Sequence, residues 1–244
     1  MTPTPYYEDS WTVVYQGDCR EILPALNLPA SALLLTDPPY GNDFVHHGKN
    51  YANAPRFADV EIADNKGPFN PAHLLGLAPE QKILWGANWY ASRLPDEPGW
   101  LIWDKREDSG KKAMGDAELA WTNFLGAVRK YDHLWDGFNK RSERGIKKIH
   151  PTQKPLALMR WCISLARKPS LIVDPYMGSG STLRAAKDMA IPSIGIEWDA
   201  RYLPGAVRRL SQETIWALIE DHTESNVELF TKIKGVTHEK AAAK

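Results

Sequence analysis

The fold of this 244-residue chain is constrained most strongly by three short strand-like runs. Each run is followed at once by a turn rich in proline, glycine or acidic residues. The runs cover residues 33–35, 171–173 and 193–196. Short, mostly apolar runs of this kind are typical of strands buried on both faces of a parallel sheet. Helical periodicity at 155–167 and from about 182 to 189 lies between them. Alternating strands and helices predict an α/β fold with a doubly wound, mostly parallel sheet.

Weaker patterns predict the remaining organisation. Further strands are expected at 11–15, 83–85 and 100–103, one short helix at 20–26, and either a helix or a strand at 117–122. The polar stretch 41–70 is typical of a long loop that acts as a lid or binding loop. We expect one domain over 1–244, with a disordered tail at 235–244.

The chain contains ten tryptophans, an unusually large number. Large aromatic side chains are more often core than base-stacking surfaces. We therefore expect Trp85, Trp100, Trp103 and Trp121 in the core, and the pattern does not decide the place of Trp135.

A glycine turn follows the run 171–173 and reads Asp174-Pro175-Tyr176-Met177-Gly178-Ser179-Gly180-Ser181-Thr182. In a doubly wound sheet this position is the usual ligand crevice. A phosphate-binding loop would need a lysine after Gly180, and a dinucleotide fingerprint would need a glycine where Leu183 stands. Asp174 would repel a pyrophosphate but suits a cationic amino or sulfonium ligand, and Glu197 suits ribose hydroxyls. Among nucleoside ligands, S-adenosylmethionine fits best, and a plain strand–helix connection is the alternative.

The segment Asp37-Pro38-Pro39-Tyr40 follows the first run. Its prolines stiffen the chain and leave the Pro38 carbonyl free to accept a hydrogen bond. Together with the Asp37 carboxylate and the flat Tyr40 ring, this carbonyl suits an exocyclic amino group on a planar base. Two acceptors on such a group would favour a pyramidal nitrogen and stabilise its developing positive charge. A proline-rich turn without a ligand is the alternative.

Charge is unevenly distributed, although 30 basic and 30 acidic residues give a formal net charge of zero. This balance excludes binding of nucleic acid or membranes by bulk positive charge. The basic excess lies in residues 101–154, above all at 140–154. That stretch is either a solvated loop or a local phosphate-binding surface.

Four segments in order resemble the amino-group DNA methyltransferases: 37–40, His150-Pro151-Thr152-Gln153-Lys154-Pro155, 174–182 and the strand end at Gly195-Ile196-Glu197. The catalytic segment precedes the glycine turn, as in the beta class of these enzymes. The resemblance covers about residues 11–210. It implies a Rossmann-like, circularly permuted fold, S-adenosylmethionine as cofactor and double-stranded DNA as partner.

The resemblance also implies roles for particular residues. The catalytic site would comprise Asp37, Pro38, Pro39 and Tyr40. The cofactor site would comprise Asp18, Cys19, Thr152, Lys154, Pro155, Asp174, Pro175, Tyr176, Gly178, Ser179, Gly180, Ser181, Thr182, Glu197 and Trp198. Tyr176 stands where family members usually have phenylalanine.

Target recognition in this family lies between the catalytic half and segment 150–155, here at about 123–149. Because duplex DNA hides its amino nitrogens, the target base must flip out. The residues expected to contact DNA are His46, His47, Lys49, Lys140, Arg141, Arg144, Lys147 and Lys148. The short recognition region is compatible with a homodimer.

The expected reaction is site-specific methylation of adenine N6, in a modification enzyme for which no partner nuclease is indicated. Methylation of cytosine N4 is the alternative, since the aspartate in the first segment favours adenine only as a family tendency. A nonenzymatic nucleic-acid-binding protein that kept the fold is a further alternative.

The two cysteines, Cys19 and Cys162, form no disulfide framework and are expected to be buried. Neither follows a proline, so covalent cytosine-C5 methylation is not expected. No ligand cluster accompanies His46 and His47, so no metal is expected. The absence of a long apolar segment predicts a cytoplasmic protein without membrane contact.

Overall fold

A computed structural model describes residues 3–41, 45–46, 60–61, 67–106, 115–136, 139–213 and 223–235. Nine of its strands form one sheet. These strands are β1 (Tyr7–Glu8), β2 (Thr12–Gln16), β3 (Leu33–Thr36), β6 (Gln81–Trp85), β7 (Trp100–Asp104), β8 (Ala117–Thr122), β9 (Arg129–Asp132), β12 (Ile172–Asp174) and β13 (Ser193–Glu197). Across the sheet they lie in the order β1-β2-β13-β12-β3-β6-β8-β7-β9. Two antiparallel ribbons pair β4 (Val45–His46) with β5 (Val60–Glu61) and β10 (Trp135–Asp136) with β11 (Asn139–Lys140).

The centre of the sheet is parallel. Strands β2, β13, β12, β3 and β6 run in one direction, with Val173 opposite Leu34 and Ile194 opposite Val13. The carboxyl ends of these strands therefore meet at one edge. The segments that follow β2, β3, β12 and β13 are those that the sequence singled out, so the fold brings them together. The predicted doubly wound, mostly parallel sheet is confirmed.

The other half of the sheet departs from chain order. Strand β8 lies between β6 and β7 and is antiparallel to both, with Ala120 opposite Trp85 and Glu118 opposite Trp103. Residues 117–122, which periodicity left undecided, therefore form a strand. This arrangement brings Glu118 into the site described below.

The described helices are α1 (Cys19–Ile22), α2 (Ala72–Leu75), α3 (Leu156–Leu165), α4 (Ser181–Asp188), α5 (Leu203–Leu210) and α6 (Thr223–Ile233). Helix α3 begins after Pro155, and α4 begins after Gly180 in a left-handed conformation, close to the predicted bounds. The single helix expected at 20–26 is instead α1 followed by a 3₁₀ turn over Leu23–Ala25. Pro24 has no N–H to continue the α-helical hydrogen bonds.

Apolar side chains cover both faces of the sheet. Trp85, Trp103 and Trp121 are fully buried, as predicted, and Trp100 is partly buried. Trp135 is also buried, at 6% exposure. The predicted burial of Cys19 and Cys162 is confirmed. In the described part of the chain, no helix combines the length and apolar character that crossing a bilayer requires.

Candidate active site

A cavity of about 300 Å³ lies at the carboxyl edge of the parallel strands. All four predicted catalytic residues line it. The predicted cofactor residues that line it are Asp18, Cys19, Thr152, Lys154, Asp174, Pro175, Tyr176, Gly178, Ser179, Ser181, Thr182, Glu197 and Trp198. Pro155 and Gly180 do not line it and instead precede helices α3 and α4. One cavity therefore joins the proline-rich segment to the glycine turn.

The Asp37 carboxylate lies at one end of the cavity with both oxygens engaged. The Tyr40 hydroxyl donates a hydrogen bond to Oδ1 at 2.6 Å, and the Lys154 ammonium donates to Oδ2. Burial raises the pKa of Asp37, and the Lys154 charge opposes that rise. The Tyr40 ring lies directly over Gly86, where an added Cβ would come within 1.9 Å of a ring atom. Gly86 therefore sets the place of this aromatic face.

Lys154 connects Asp37 to a second carboxylate that the sequence did not reveal. Its ammonium lies 3.2 Å from Glu118 Oε2, and Lys105 Nζ lies 2.9 Å from Glu118 Oε1. Although burial lowers the pKa of Lys154, the two carboxylates more than offset this and raise it above its ordinary value. Burial opposes ionisation of Glu118, but Lys154 and Lys105 lower its pKa to about 2. An acidic residue inside an otherwise apolar strand was the one available signal for Glu118.

The glycine turn forms the other end of the cavity. Gly178 and Gly180 have φ angles of +49° and +71°, a region that residues with a Cβ rarely adopt. The Gly178 N–H donates to Glu197 Oε2 at 2.9 Å, and the Asp199 N–H donates to Oε1 at 2.7 Å. Burial raises the pKa of Glu197 to about 7. The turn thus holds a carboxylate that becomes protonated, and so uncharged, as the pH falls below about 7.

Asp174 fastens the turn to the neighbouring strand. Its Oδ1 accepts hydrogen bonds from the Thr36 hydroxyl at 2.7 Å and from the Tyr176 N–H at 3.1 Å. Burial raises its pKa to about 6. Asp174 therefore ties the end of β12 to the end of β3, besides contributing a carboxylate to the cavity.

Segment 150–155 is held against the glycine turn. The Ser181 hydroxyl donates to the Lys154 carbonyl at 2.8 Å and accepts from Arg209 at 2.8 Å. The His150 Nδ1 accepts from the Thr152 N–H at 3.3 Å, and burial lowers the pKa of His150 to about 3. The predicted Ser181 and Thr152 thus hold the segment in place. His150 is part of the same segment, and the sequence predicted no role for it. It also lines the cavity.

Aromatic groups surround Tyr176 of the glycine turn. The Tyr176 hydroxyl is 2.9 Å from His73 Nε2, and Phe69 packs edge-on against both rings. Asp18 forms an ion pair with Arg20 at 2.7 Å. Trp198 is 55% exposed, so its indole lies at the surface of the cavity. His73 lies outside the four segments that resemble the methyltransferases, so no sequence pattern indicated it.

The basic stretch divides into two parts. Arg141, Arg144 and Lys147 are exposed. Lys140 and Lys148 lie over the buried Trp135 ring, with their ammonium groups 4.8 and 5.7 Å from its centre. Three of the predicted DNA contacts thus face solvent, whereas these two are partly buried. The His46 side chain, His47 and Lys49 lie outside the described residues, so their contacts with DNA stay predictions.

The described residues contain no group of three or more His, Cys, Asp or Glu side chains arranged to hold a metal ion.

A family model matches the part of the chain that contains most of the site. Residues 99–208 match the family model described as DNA methylase. This range includes Glu118, segment 150–155, the glycine turn and Glu197. This part of the chain is therefore similar to the DNA methylases.

Similar proteins agree with this assignment. The Type II methyltransferase M2.LlaDCHI of Lactococcus lactis subsp. cremoris is 24% identical over 260 residues, covering 88% of this chain and 94% of that protein. The Type II methyltransferase M2.DpnII of Streptococcus pneumoniae is 24% identical over 255 residues, covering 86% and 93%. Among solved structures, PvuII DNA methyltransferase, described as cytosine-N4-specific, has a TM-score of 0.56 at 17% identity and covers 96% of each chain. At that identity the likeness concerns the fold.

Proposed function

We propose that this chain is a DNA methyltransferase that moves the methyl group of S-adenosylmethionine to the N6 amino group of a flipped-out adenine. The observation that carries the proposal is the single cavity lined both by segment 37–40 and by the glycine turn with Glu197. An amino acceptor and a nucleoside cofactor can therefore occupy one recess.

The cofactor end fits S-adenosylmethionine by its donor set. The Glu197 carboxylate suits the two ribose hydroxyls, which donate hydrogen bonds. The turn 174–182 contains no lysine or arginine, so it lacks the cation that a nucleotide phosphate requires. The carboxylate of Asp174 instead suits a ligand that carries positive charge on its amino and sulfonium groups.

At the other end, segment 37–40 suits the acceptor base. The Tyr40 ring offers a stacking face, and the Asp37 carboxylate and Pro38 carbonyl accept from the exocyclic NH₂. These acceptors stabilise the positive charge that develops on the nitrogen during transfer. S-adenosylmethionine, when bound, supplies an electrophilic methyl group, so alignment of the nitrogen is the main remaining requirement.

The recess implies an extrahelical base, because a base within the duplex cannot reach a cavity of this kind. The exposed Arg141, Arg144 and Lys147 border the segment that lines the cavity. Their charges support duplex DNA as the partner, through contacts with phosphates.

The test is methyl transfer from tritiated S-adenosylmethionine to duplex DNA of varied sequence, followed by mass spectrometry of the nucleosides. We expect N6-methyladenine, and long-read sequencing of DNA from an expressing cell gives the site. N4-methylcytosine instead would establish the alternative target, which the cytosine-specific fold neighbour keeps open. Cofactor binding without transfer to any DNA would favour a nonenzymatic binding protein.

A further inference from the structure

Both oxygens of the Asp37 carboxylate already have a hydrogen-bond donor before any amino group arrives. Its Oδ1 accepts from Tyr40 and its Oδ2 accepts from Lys154. Positive charge develops on the acceptor nitrogen during methyl transfer, so an ammonium on the same carboxylate would oppose the reaction through Coulomb repulsion. The proposed reaction is therefore favoured when Lys154 withdraws from Asp37.

Lys154 cannot withdraw to solvent at low cost. Its side chain is only 8% exposed, and an isolated buried charge is strongly unfavourable. The charged or titratable groups that face it are Asp37 and Tyr40 after β3, Glu118 on β8, Lys105 at the end of β7, and Lys148 and His150 before α3. Of these, only the two carboxylates attract an ammonium, so Glu118 is the alternative counter-ion among the described residues.

Glu118 is already held in the position that such a shift requires. Lys105 fixes its Oε1 at 2.9 Å. Its buried Oε2 lies 3.2 Å from Lys154 Nζ but accepts no well-aligned hydrogen bond from the described residues. A buried carboxylate oxygen without an aligned donor is costly, so it favours the approach of one. A movement of Lys154 smaller than one hydrogen-bond length would supply it.

We propose that Glu118 is a positioning residue that takes over the Lys154 ammonium when a target amino group binds to Asp37. This inference rests on the proposed function, since it concerns the acceptor step of that reaction. Lys154 stays protonated throughout and is paired with a carboxylate in each arrangement. Glu118 thereby sets how available Asp37 is to the base.

The test compares Glu118→Gln with Asp116→Asn, a matched loss of one carboxylate at a side chain that is 61% exposed. The glutamine keeps the shape of Glu118 but removes its charge, which leaves Lys154 on Asp37. We expect kcat to fall about tenfold to a hundredfold, as for other misplaced catalytic geometries. The dissociation constant for S-adenosylmethionine should change little, and Glu118→Asp should recover part of kcat. Asp116→Asn should resemble the wild type.

A second measurement does not depend on activity. In protein labelled with ¹³C-lysine, the NMR titration of Lys154 should move to lower pH in Glu118→Gln, because one of its two counter-ions is gone. An unchanged titration would show that the two groups do not interact. An unchanged kcat, or an equal loss in Asp116→Asn, would overturn the positioning role. If the wild type transfers no methyl group, the proposed function fails, while the titration still tests the contact.

Discussion

The two ends of the cavity hold carboxylates in opposite ways. At the glycine turn, Asp174 and Glu197 are bound by backbone N–H and hydroxyl groups, and neither contacts a lysine or arginine of the described chain. At the other end, Asp37 and Glu118 contact Lys154, and Glu118 also contacts Lys105. Burial accordingly raises the pKa of Glu197 to about 7, whereas the lysines lower the pKa of Glu118 to about 2.

This difference matches the two tasks that we propose. A carboxylate without a cation is ready to accept the hydroxyl groups of a cofactor. A carboxylate already paired with an ammonium stabilises a positively charged amino group better once that partner has moved away. The cofactor end therefore depends on protonation, and the acceptor end depends on geometry. Each of the following predictions changes one end and asks whether the other is affected.

The largest effect is expected from Asp37→Asn. The amide keeps the shape but removes the charge that stabilises the acceptor nitrogen, so transfer should fall about a thousandfold. The dissociation constant for S-adenosylmethionine, measured by calorimetry, should stay close to that of the wild type, because the glycine turn is unchanged. Asp96→Asn, at an exposed position, is the control. A comparable loss of cofactor affinity would mean that the two ends are not separate.

Gly86→Ala tests the acceptor end through the Tyr40 ring. The new Cβ would lie 1.9 Å from a ring atom, and Gly86 has a φ of +69°, so the ring must move. We expect a loss of about a hundredfold in kcat/KM for DNA and a destabilisation of about 1–3 kcal/mol. Steady-state kinetics and chemical denaturation measure the two effects.

Gly126→Ala is the matched control for this variant. An added Cβ at Gly126 meets no atom within 4 Å, and its φ is not in the positive region. Its activity and stability should stay near those of the wild type. If Gly86→Ala retains full activity, the Tyr40 ring does not need the position described here.

The cofactor end was easier to predict from the sequence than the acceptor end. Glu197 is the last residue of β13, and the glycine turn begins at Asp174, the last residue of β12. Because these strands are adjacent and parallel, local patterns were sufficient to place both at one edge of the sheet. Asp37 was found in the same way, because it follows β3.

The partners of Asp37 could not be found by that reasoning. Glu118 lies on β8, which is inserted between β6 and β7 and runs antiparallel to both. Gly86 follows β6 and contacts Tyr40, which is 46 positions earlier. Such long-range placements depend on strand order, and no local periodicity specifies strand order.

The pKa of Glu197 predicts how cofactor affinity depends on pH. Its folded value of about 7 lies above the ordinary 4.5, so the fold without cofactor favours the protonated form. That contribution to stability is present below pH 4.5 and is lost as the pH rises through about 7. A cofactor that binds the carboxylate should bind about tenfold more tightly at pH 8 than at pH 6, since the ionised fraction rises from about 9% to about 91%.

Calorimetry with S-adenosylmethionine across that range measures this effect. Glu197→Gln should bind more weakly at pH 8 and should lose most of the dependence on pH. An equally steep dependence in the variant would assign the titration to another group, of which Asp174, with a pKa of about 6, is the nearest in the turn. Glu118 should not contribute, because its pKa is about 2.

The smallest effect is expected at the protein surface, outside both ends of the cavity. Replacing the exposed Arg141, Arg144 and Lys147 with alanine, one at a time, should weaken DNA binding only severalfold at moderate salt. For every phosphate that a variant no longer neutralises, the slope of log affinity against log salt should become shallower by about 0.9. Fluorescence anisotropy with duplex DNA at several salt concentrations measures this slope. Lys232→Ala, on α6 with 72% of its side chain exposed, is the control and should leave the slope unchanged. If all four variants behave alike, the basic stretch does not contact DNA, and the two ends of the cavity must bind the substrate without it.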